Sequence, residues 1–484
     1  MLEILPVLHC VSCCLDLTTF RQLCILVLAM LSMTGRVTML GISRWAGKGG
    51  SYRTIQRFFA TAIDWGQLNW TLLRCQVFEP EEVVLVTGDE STVTKSGTKT
   101  HGLDTFFSSI VGKPVKGIAV FTWSLTSVKQ RRSFPLLSHQ VIKDSSDSDE
   151  GQQADVNTST SKDKSRSTST SKSKDKSRSK DKSTSKGTSK SKGKGKSKSK
   201  SKSKRTKKKQ GRPRGSKNQN RENVELSPYL QTLQTQLLAV KDLVGSRLSL
   251  TYVVLDGAFG NNYALQMVRR CGMQIISKLR ADSALYFPYT GTYSGHGPRK
   301  KYGEKLTIAN LPKTSLIQQT TTGLMQTSIY QMNLWHKSFP QLLNVVILVK
   351  EHLKTGKRAH VILVSSDSNL SAEHIIEYYR LRFQIEFNFR DAKQFWGLED
   401  FMNIREQQVT TAMNLSFFLV NVSQILLRRF RHTTPAFSVN DLKAHFRGVK
   451  YVNAVLELLP EKPDTIVMQQ IAEEIGKLGS INVA

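Results

Sequence analysis

Two short apolar, β-branched runs stand out along the chain. Val83, Val84, Leu85, Val86 and Thr87 end in Gly88 and Asp89, and Tyr252, Val253, Val254 and Leu255 end in Asp256 and Gly257. Runs of this length, punctuated by Gly, predict central strands buried on both faces. Further strands are expected over residues 118–124 and 133–141, near 273–279, and at 345–349 and 361–364. The last two lie in a stretch of short strands and polar turns spanning residues 281–366. Helical periodicity dominates residues 1–80, where 39–46 and 52–60 form two short helices about a Gly-containing turn at 47–50. Residues 226–244 place Leu230, Leu233, Leu237 and Leu238 on one apolar face, and 263–271 form another helix. The apolar stretch 23–33 is too short to span a bilayer and reads as a core helix. So does 417–427, which carries Asn421, Ser423 and Gln424.

A different pattern appears in YRLRFQIEFNFRDAK, residues 379–393. At about 100° per residue, Tyr379, Arg382, Glu386 and Lys393 fall within an arc of roughly 60° on one helix. Phe383, Phe387 and Phe389 are left for packing on the other side. A charged helix face is ordinarily just solvated. The two strand-terminal aspartates change that reading. If their strands are neighbours, Asp89 and Asp256 converge, and two close carboxylates repel unless a cation neutralises them. With Glu386 they make three hard oxygen donors, a set suited to one or two Mg²⁺ or Mn²⁺ ions and to in-line displacement at phosphorus. Taken singly, each aspartate is equally well a turn residue.

The spacing Tyr379-x2-Arg382-x3-Glu386-x6-Lys393 resembles the Tyr-Arg-Glu-Lys signature of a large group of bacterial insertion-sequence transposases. DGAFGNN from Asp256 resembles that group's second-aspartate motif, and ISKLRADSALYFP, residues 276–288, the segment after it. The resemblance implies a DDE transposase with an RNase H-like α/β catalytic domain, interrupted by an inserted β-rich subdomain. It also implies a metal-binding catalytic triad of Asp89, Asp256 and Glu386, with Tyr379, Arg382 and Lys393 gripping phosphates at the element's end. ESTVTKSGTKTHGLD, after Asp89, departs from the group's usual first-aspartate motif and makes Asp104 a substitute for Asp89. Asp89 is preferred because it closes a strand. By implication the enzyme cuts and pastes double-stranded DNA at terminal inverted repeats, through a hairpin intermediate, as a homodimer in a synaptic complex.

Charge and composition extend this picture. The chain has 484 residues and a formal net charge of +32, which favours DNA as partner. Much of that charge lies in residues 143–221, where Ser/Lys repeats cannot bury enough apolar surface to fold, so a disordered basic insertion is expected. Its end, KKKQGRPRGSKNQN, includes Gly211, Arg212, Pro213 and Arg214, which resemble one AT-hook core for the minor groove. In the N-terminal helical pair, Arg53, Gln56 and Arg57 suit a helix-turn-helix entering the major groove. His9, Cys10, Cys13 and Cys14 hint at a zinc set, but no second pair follows at finger spacing, so buried thiols are expected. Trp335 is assigned to core packing ahead of base stacking.

The expected plan is therefore a helical DNA-end-binding domain (1–80), a catalytic domain in three pieces (81–142, 222–280, 367–430), the insertion (143–221), the β-rich subdomain (281–366) and a helical tail (431–484). A cytoplasmic, nucleoid-associated protein without membrane attachment is expected. A silent transposase-derived DNA-binding protein and a structure-selective nuclease on the same fold are the alternatives.

Overall fold

A computed structural model describes residues 4–108, 111–143, 221–293, 295–461 and 463–482. Helices α1 (Leu5–Leu8), α2 (Leu17–Ser32), α3 (Met39–Ala46), α4 (Tyr52–Ala60) and α5 (Trp65–Gln76) lead into strands β1 (Val84–Thr94), β2 (Asp104–Ser108), β3 (Lys113–Ser127) and β4 (Arg132–Val141). After the basic segment come α6 (Pro228–Val244), β5 (Tyr252–Val254), α7 (Asn262–Arg270) and β6 (Gln274–Leu279). Strands β7 (Leu285–Pro288), β8 (Tyr302–Lys305), β9 (Leu316–Thr322), β10 (Met325–His336), β11 (Leu343–His352) and β12 (Arg358–Ser365) follow. The chain closes with α8 (Ala372–Arg382), α9 (Gln384–Phe395), α10 (Glu406–Phe430), α11 (Val439–Glu457) and α12 (Thr465–Lys477).

The strands form one mixed sheet. β4 and β1 flank β3 in antiparallel pairing, and β1, β5 and β6 continue in parallel. Apolar residues alternate between the two faces as a period of two requires. Val84, Val86, Val253 and Ile275 face the larger core, whereas Leu85, Val254 and Ile276 face a smaller one closed by Ile375, Ile376, Tyr378 and Leu381 of α8. Each such side chain, fully buried, stabilises the fold by about 1.5–3 kcal/mol. A mixed sheet of this order covered by helices fits an RNase H-like domain.

Three expectations change on contact with this architecture. The first strand does not end at Thr87. Parallel pairing with β5 stops at Thr87↔Val254, but β3 continues alongside as far as Thr94↔Gly117, so Asp89 lies inside β1. The β-rich stretch joins the same sheet, because β12 pairs antiparallel with β6 and β11 with β12. The N-terminal helices also share the larger core with α9, α10 and α11. Lys443 of α11 donates to the carbonyl of Met30 in α2 (2.8 Å). Asn421 of α10 donates to Asn69 of α5 (2.9 Å) and to the Pro135 carbonyl of β4 (2.7 Å). Such fully buried amide bonds are costly to break and fix one helix arrangement.

Helix α10 is long and apolar enough to cross a membrane, yet 89% of its apolar window is buried inside the fold. Cys13 is exposed and Cys10 and Cys14 are half-buried, not the buried thiols expected, because their short turn lies at the surface with Cys14 against Thr71.

Gly88 lets β1 pass under two rings. A Cβ there would lie 2.7 and 2.9 Å from ring carbons of Trp123 and 2.8 Å from Phe121. Both rings are buried and have no room to retreat. Gly88→Ala is expected to cost about 1–3 kcal/mol, read as a lower urea midpoint. An unchanged midpoint would contradict this packing.

Candidate carboxylate site at the end of the parallel strands

Because β1 and β5 run side by side in the same direction, residues just beyond their last shared pair come together. Asp89 follows that point by two residues on β1, and Asp256 by two residues after Val254. Asp256 caps a short 3₁₀ turn by accepting from the Ala258 amide (3.1 Å), and Ser277 of β6 donates to its carbonyl (2.6 Å). Phe259, in that turn, packs edge-on against Phe121 of β3. The turn is thus held from both neighbouring strands.

The third acid arrives on a broken helix, not on the continuous one expected. α8 ends at Arg382 and α9 begins at Gln384, with Phe383 between them in a tight turn (φ −58°, ψ −19°) whose amide reaches back to Arg380. The break leaves Arg382 able to span two acids. Its guanidinium donates to Asp89 (3.1 Å) and to Glu386 (3.0 Å), while only 13% of its side chain is exposed. Burial alone would lower the Arg382 pKa, but Asp89 and Glu386 outweigh it and hold the charge. Burial, first of all, lifts the Asp89 carboxyl to about 6. Arg382 and the Glu90 amide oppose the rise, and Asp256 and Glu386 add to it.

Tyr379 lies beside Arg382, whose guanidinium is 6.0 Å from the ring centre. Burial raises the phenol's pKa, Arg382 lowers it and Asp256 raises it. Lys393 is tied down: it donates to the Thr92 carbonyl of β1 (2.8 Å) and lies 3.7 Å from Glu399. Here it fastens α9 to β1. Phe389 is buried as expected, but Phe383 and Phe387 are 49% and 36% exposed, stacked edge-to-face on one another. The break turns them outward.

Asp104 begins β2, on the far side of β3 from β1, and is exposed. Arg53, Gln56 and Arg57 all lie on the exposed side of α4, whose Ile55, Phe58 and Phe59 are buried. Arg212 and Arg214, with the rest of the Ser/Lys-rich segment from 144 to 220, lie outside the described residues. Trp335 is half-buried, with Lys301 5.5 Å from its ring centre and Tyr302 against its edge.

Two site residues escaped the sequence reading. Glu90 accepts from the Tyr229 hydroxyl of α6 (3.1 Å) and raises that phenol's pKa along with burial. Burial also raises Glu90, and Asp256 contributes to the rise. The Asp89–Glu90 doublet was a visible signal for a larger acidic site, whereas nothing in the α6 pattern singled out Tyr229.

Among the described residues, no group of three or more His, Cys, Asp or Glu side chains lies close enough to hold one ion together. Arg382 stands between Asp89 and Glu386. The donor set nevertheless fits a divalent cation, because these are hard carboxylate oxygens and Mg²⁺ takes few protein ligands, completing its shell with water and phosphate.

Acidic side chains thus lie at the end of a parallel pair, beside an arginine, on a mixed sheet that fits an RNase H-like domain. The family described as "DDE superfamily endonuclease" matches residues 10–337, and the chain belongs to it. That match spans Asp89 and Asp256 and stops before α8 and α9. No curated protein matches the chain. The family generally uses divalent metal ions and acts on DNA.

The raised Asp89 pKa has a definite sign. Its contribution to stability is full below the ordinary value of 3.8 and is lost as pH rises through about 6. A cation binds the ionised form, so Mn²⁺ is expected to raise the melting temperature clearly at pH 7.5 and little at pH 5. Asp89→Asn is expected to remove the effect at both. Equal shifts at both pH values would contradict the assignment.

Proposed function

We propose that this protein is a transposase of the insertion-sequence group carrying the Tyr-Arg-Glu-Lys signature. It cleaves the inverted-repeat ends of its element and joins the freed 3′-hydroxyls to target DNA. The observation that carries this reading is the Arg382 bridge, which links the acid of β1 to the acid of α9 across the end of the parallel strands. Asp89, Asp256 and Glu386 are the residues that would hold two Mg²⁺ or Mn²⁺ ions. When bound, such ions activate the attacking oxygen and neutralise the leaving one.

The remaining roles fall to other side chains of the protein. Tyr379 and Arg382 offer a hydrogen-bonding ring and a planar fork to the phosphate beside the cut. Lys393 keeps α9, and with it Glu386, fixed against β1. Arg53, Gln56 and Arg57 read the element's end from α4. A second DNA-facing area is proposed around Trp335, where Lys301 lies over Trp335 and Lys337 over Tyr286 (4.9 Å). Interleaved cations and rings of this kind suit backbone contact with base stacking. Two protomers, each holding one end, make the synaptic assembly, and the bacterial cytoplasm and nucleoid are its setting. The intact acidic set favours this reading over a silent DNA-binding protein.

Asp89→Ala, Asp256→Ala and Glu386→Ala are each expected to lower Mn²⁺-dependent cleavage at least about 100-fold while DNA binding persists. The substrate is linear DNA carrying the gene with its flanks. Full cleavage by the Glu386→Ala protein would remove that residue from the site. Cleavage indifferent to the flanks, with preference for branched or hybrid duplexes, would point to a structure-selective nuclease.

A further inference from the structure

Helix α9 has a second functional face. Residues five steps apart on a helix are rotated by about 140°, so Asp391 points well away from Glu386. On that side lies a cavity of about 510 Å³ whose charged lining is Arg131, Arg132, Arg390 and Arg431 against one carboxylate, Asp391. An adjoining cavity of about 310 Å³ shares Arg132 and Arg431, adds Arg428 and His432, and has no acidic lining. Five guanidiniums therefore line two adjoining cavities between the β3–β4 turn, α9 and the end of α10.

Internal pairing does not account for this cluster. Arg131 is matched by Glu377 (2.7 Å) and Arg390 by Asp391 (2.8 Å). The bonds that orient the other three go to neutral oxygens: Arg132 to the Gln424 carboxamide (2.6 Å), Arg428 to that of Gln130 (2.6 Å) and Arg431 to the Phe437 carbonyl (2.8 Å). Burial and then Arg132 lower the pKa of Arg431, with Asp391 opposing. For Arg428, burial leads, Glu82 and Glu79 oppose, and Arg132 again lowers. The guanidiniums are thus crowded against one another at a cost an anion would relieve.

Two further features lie on the cleft. Arg131, in the hairpin turn that lines the cleft, sits at φ 53°, a left-handed conformation that a non-Gly residue adopts at some cost. The N-terminus of α11, capped by the reciprocal Ser438–Asp441 bonds, meets the rim at Val439 and Asn440 and adds the positive end of its dipole. Phe387 lines the cavity, stacks on exposed Phe383 and lies under Arg390 (4.8 Å).

We propose that this arginine cleft binds the phosphodiester backbone of a nucleic-acid strand other than the one at the carboxylates, with Phe387 and Phe383 as a stacking edge. A lone phosphate would need one or two guanidiniums. Three guanidiniums bonded only to neutral oxygens, beside exposed rings, fit a polymer with a charge at every unit and a base between charges. The inference rests on the cleft and not on the catalytic reading.

The test is binding of a labelled mixed-sequence single-stranded oligonucleotide to the full chain over a salt series without divalent cation. Replacing Arg132, Arg428 and Arg431 together by Gln is expected to lower the slope of log K against log salt by about 2–3 and to weaken binding at least about tenfold. Lys at the same positions is expected to restore the slope. Gln424→Glu, which adds a negative charge to both cavities without removing an arginine, is expected to weaken binding as well and covers the case in which the triple variant does not fold. Wild-type slope and affinity in a folded Gln variant, or in Gln424→Glu, would overturn the proposal. So would stabilisation of the protein by inorganic phosphate together with strand binding that the Gln substitutions leave unchanged.

Discussion

The guanidinium of Arg382 reaches Asp89 at 3.1 Å and Glu386 at 3.0 Å with most of its surface withdrawn from water. Much else in the structure follows from that contact. A buried carboxylate repelled by two others would take up a proton or move apart, and Asp89 is already raised to about 6. The arginine supplies the opposing charge that keeps these acids at one place on the sheet. Among the described residues it is also the only ion pair between β1 and the α8–α9 pair. An arginine at this point holds the acidic side chains of β1 and α9 together.

The fold supplies what that contact requires. Parallel β1 and β5 bring Asp89 and Asp256 to the same end of the sheet, and β3 runs on beside β1 so that Asp89 is braced within a strand. α8 packs its apolar side against Leu85, Val254 and Ile276, which sets the height at which Arg382 emerges. Lys393 then pins α9 to Thr92, so Glu386 is fixed at both ends of its helix segment. The same helix turns its other face to the arginine cleft. One element thereby stands between two charged surfaces of opposite sign.

What was legible in the chain was local. The apolar cores of β1 and β5 and the helices α3 and α4 follow from short-range periodicity and Gly punctuation, and α3 and α4 occur over the residues expected. Asp256 was visible because a buried run stops there. What depended on partners distant in sequence was not legible. Continuation of β1 past Asp89 needs β3 alongside it, and the union of the β-rich stretch with the main sheet needs β12 to find β6. The turn at Phe383 has neither Pro nor Gly to announce it, so the sequence pattern predicts one helix where two exist and assigns Phe383 and Phe387 to packing. The arginine cleft is drawn from three separate segments, and no single window contains it.

Whether the acids around Arg382 form a cation site decides the function proposed for this protein. Crystals of the full chain soaked in Mn²⁺ and measured at the manganese absorption edge address this directly. The account requires anomalous peaks against Asp89, with Asp256 or Glu386 as the second protein ligand and the Arg382 guanidinium moved away from one of its acids. Saturating Mn²⁺ with no peak at Asp89, and Arg382 still bonded to both carboxylates, would contradict it.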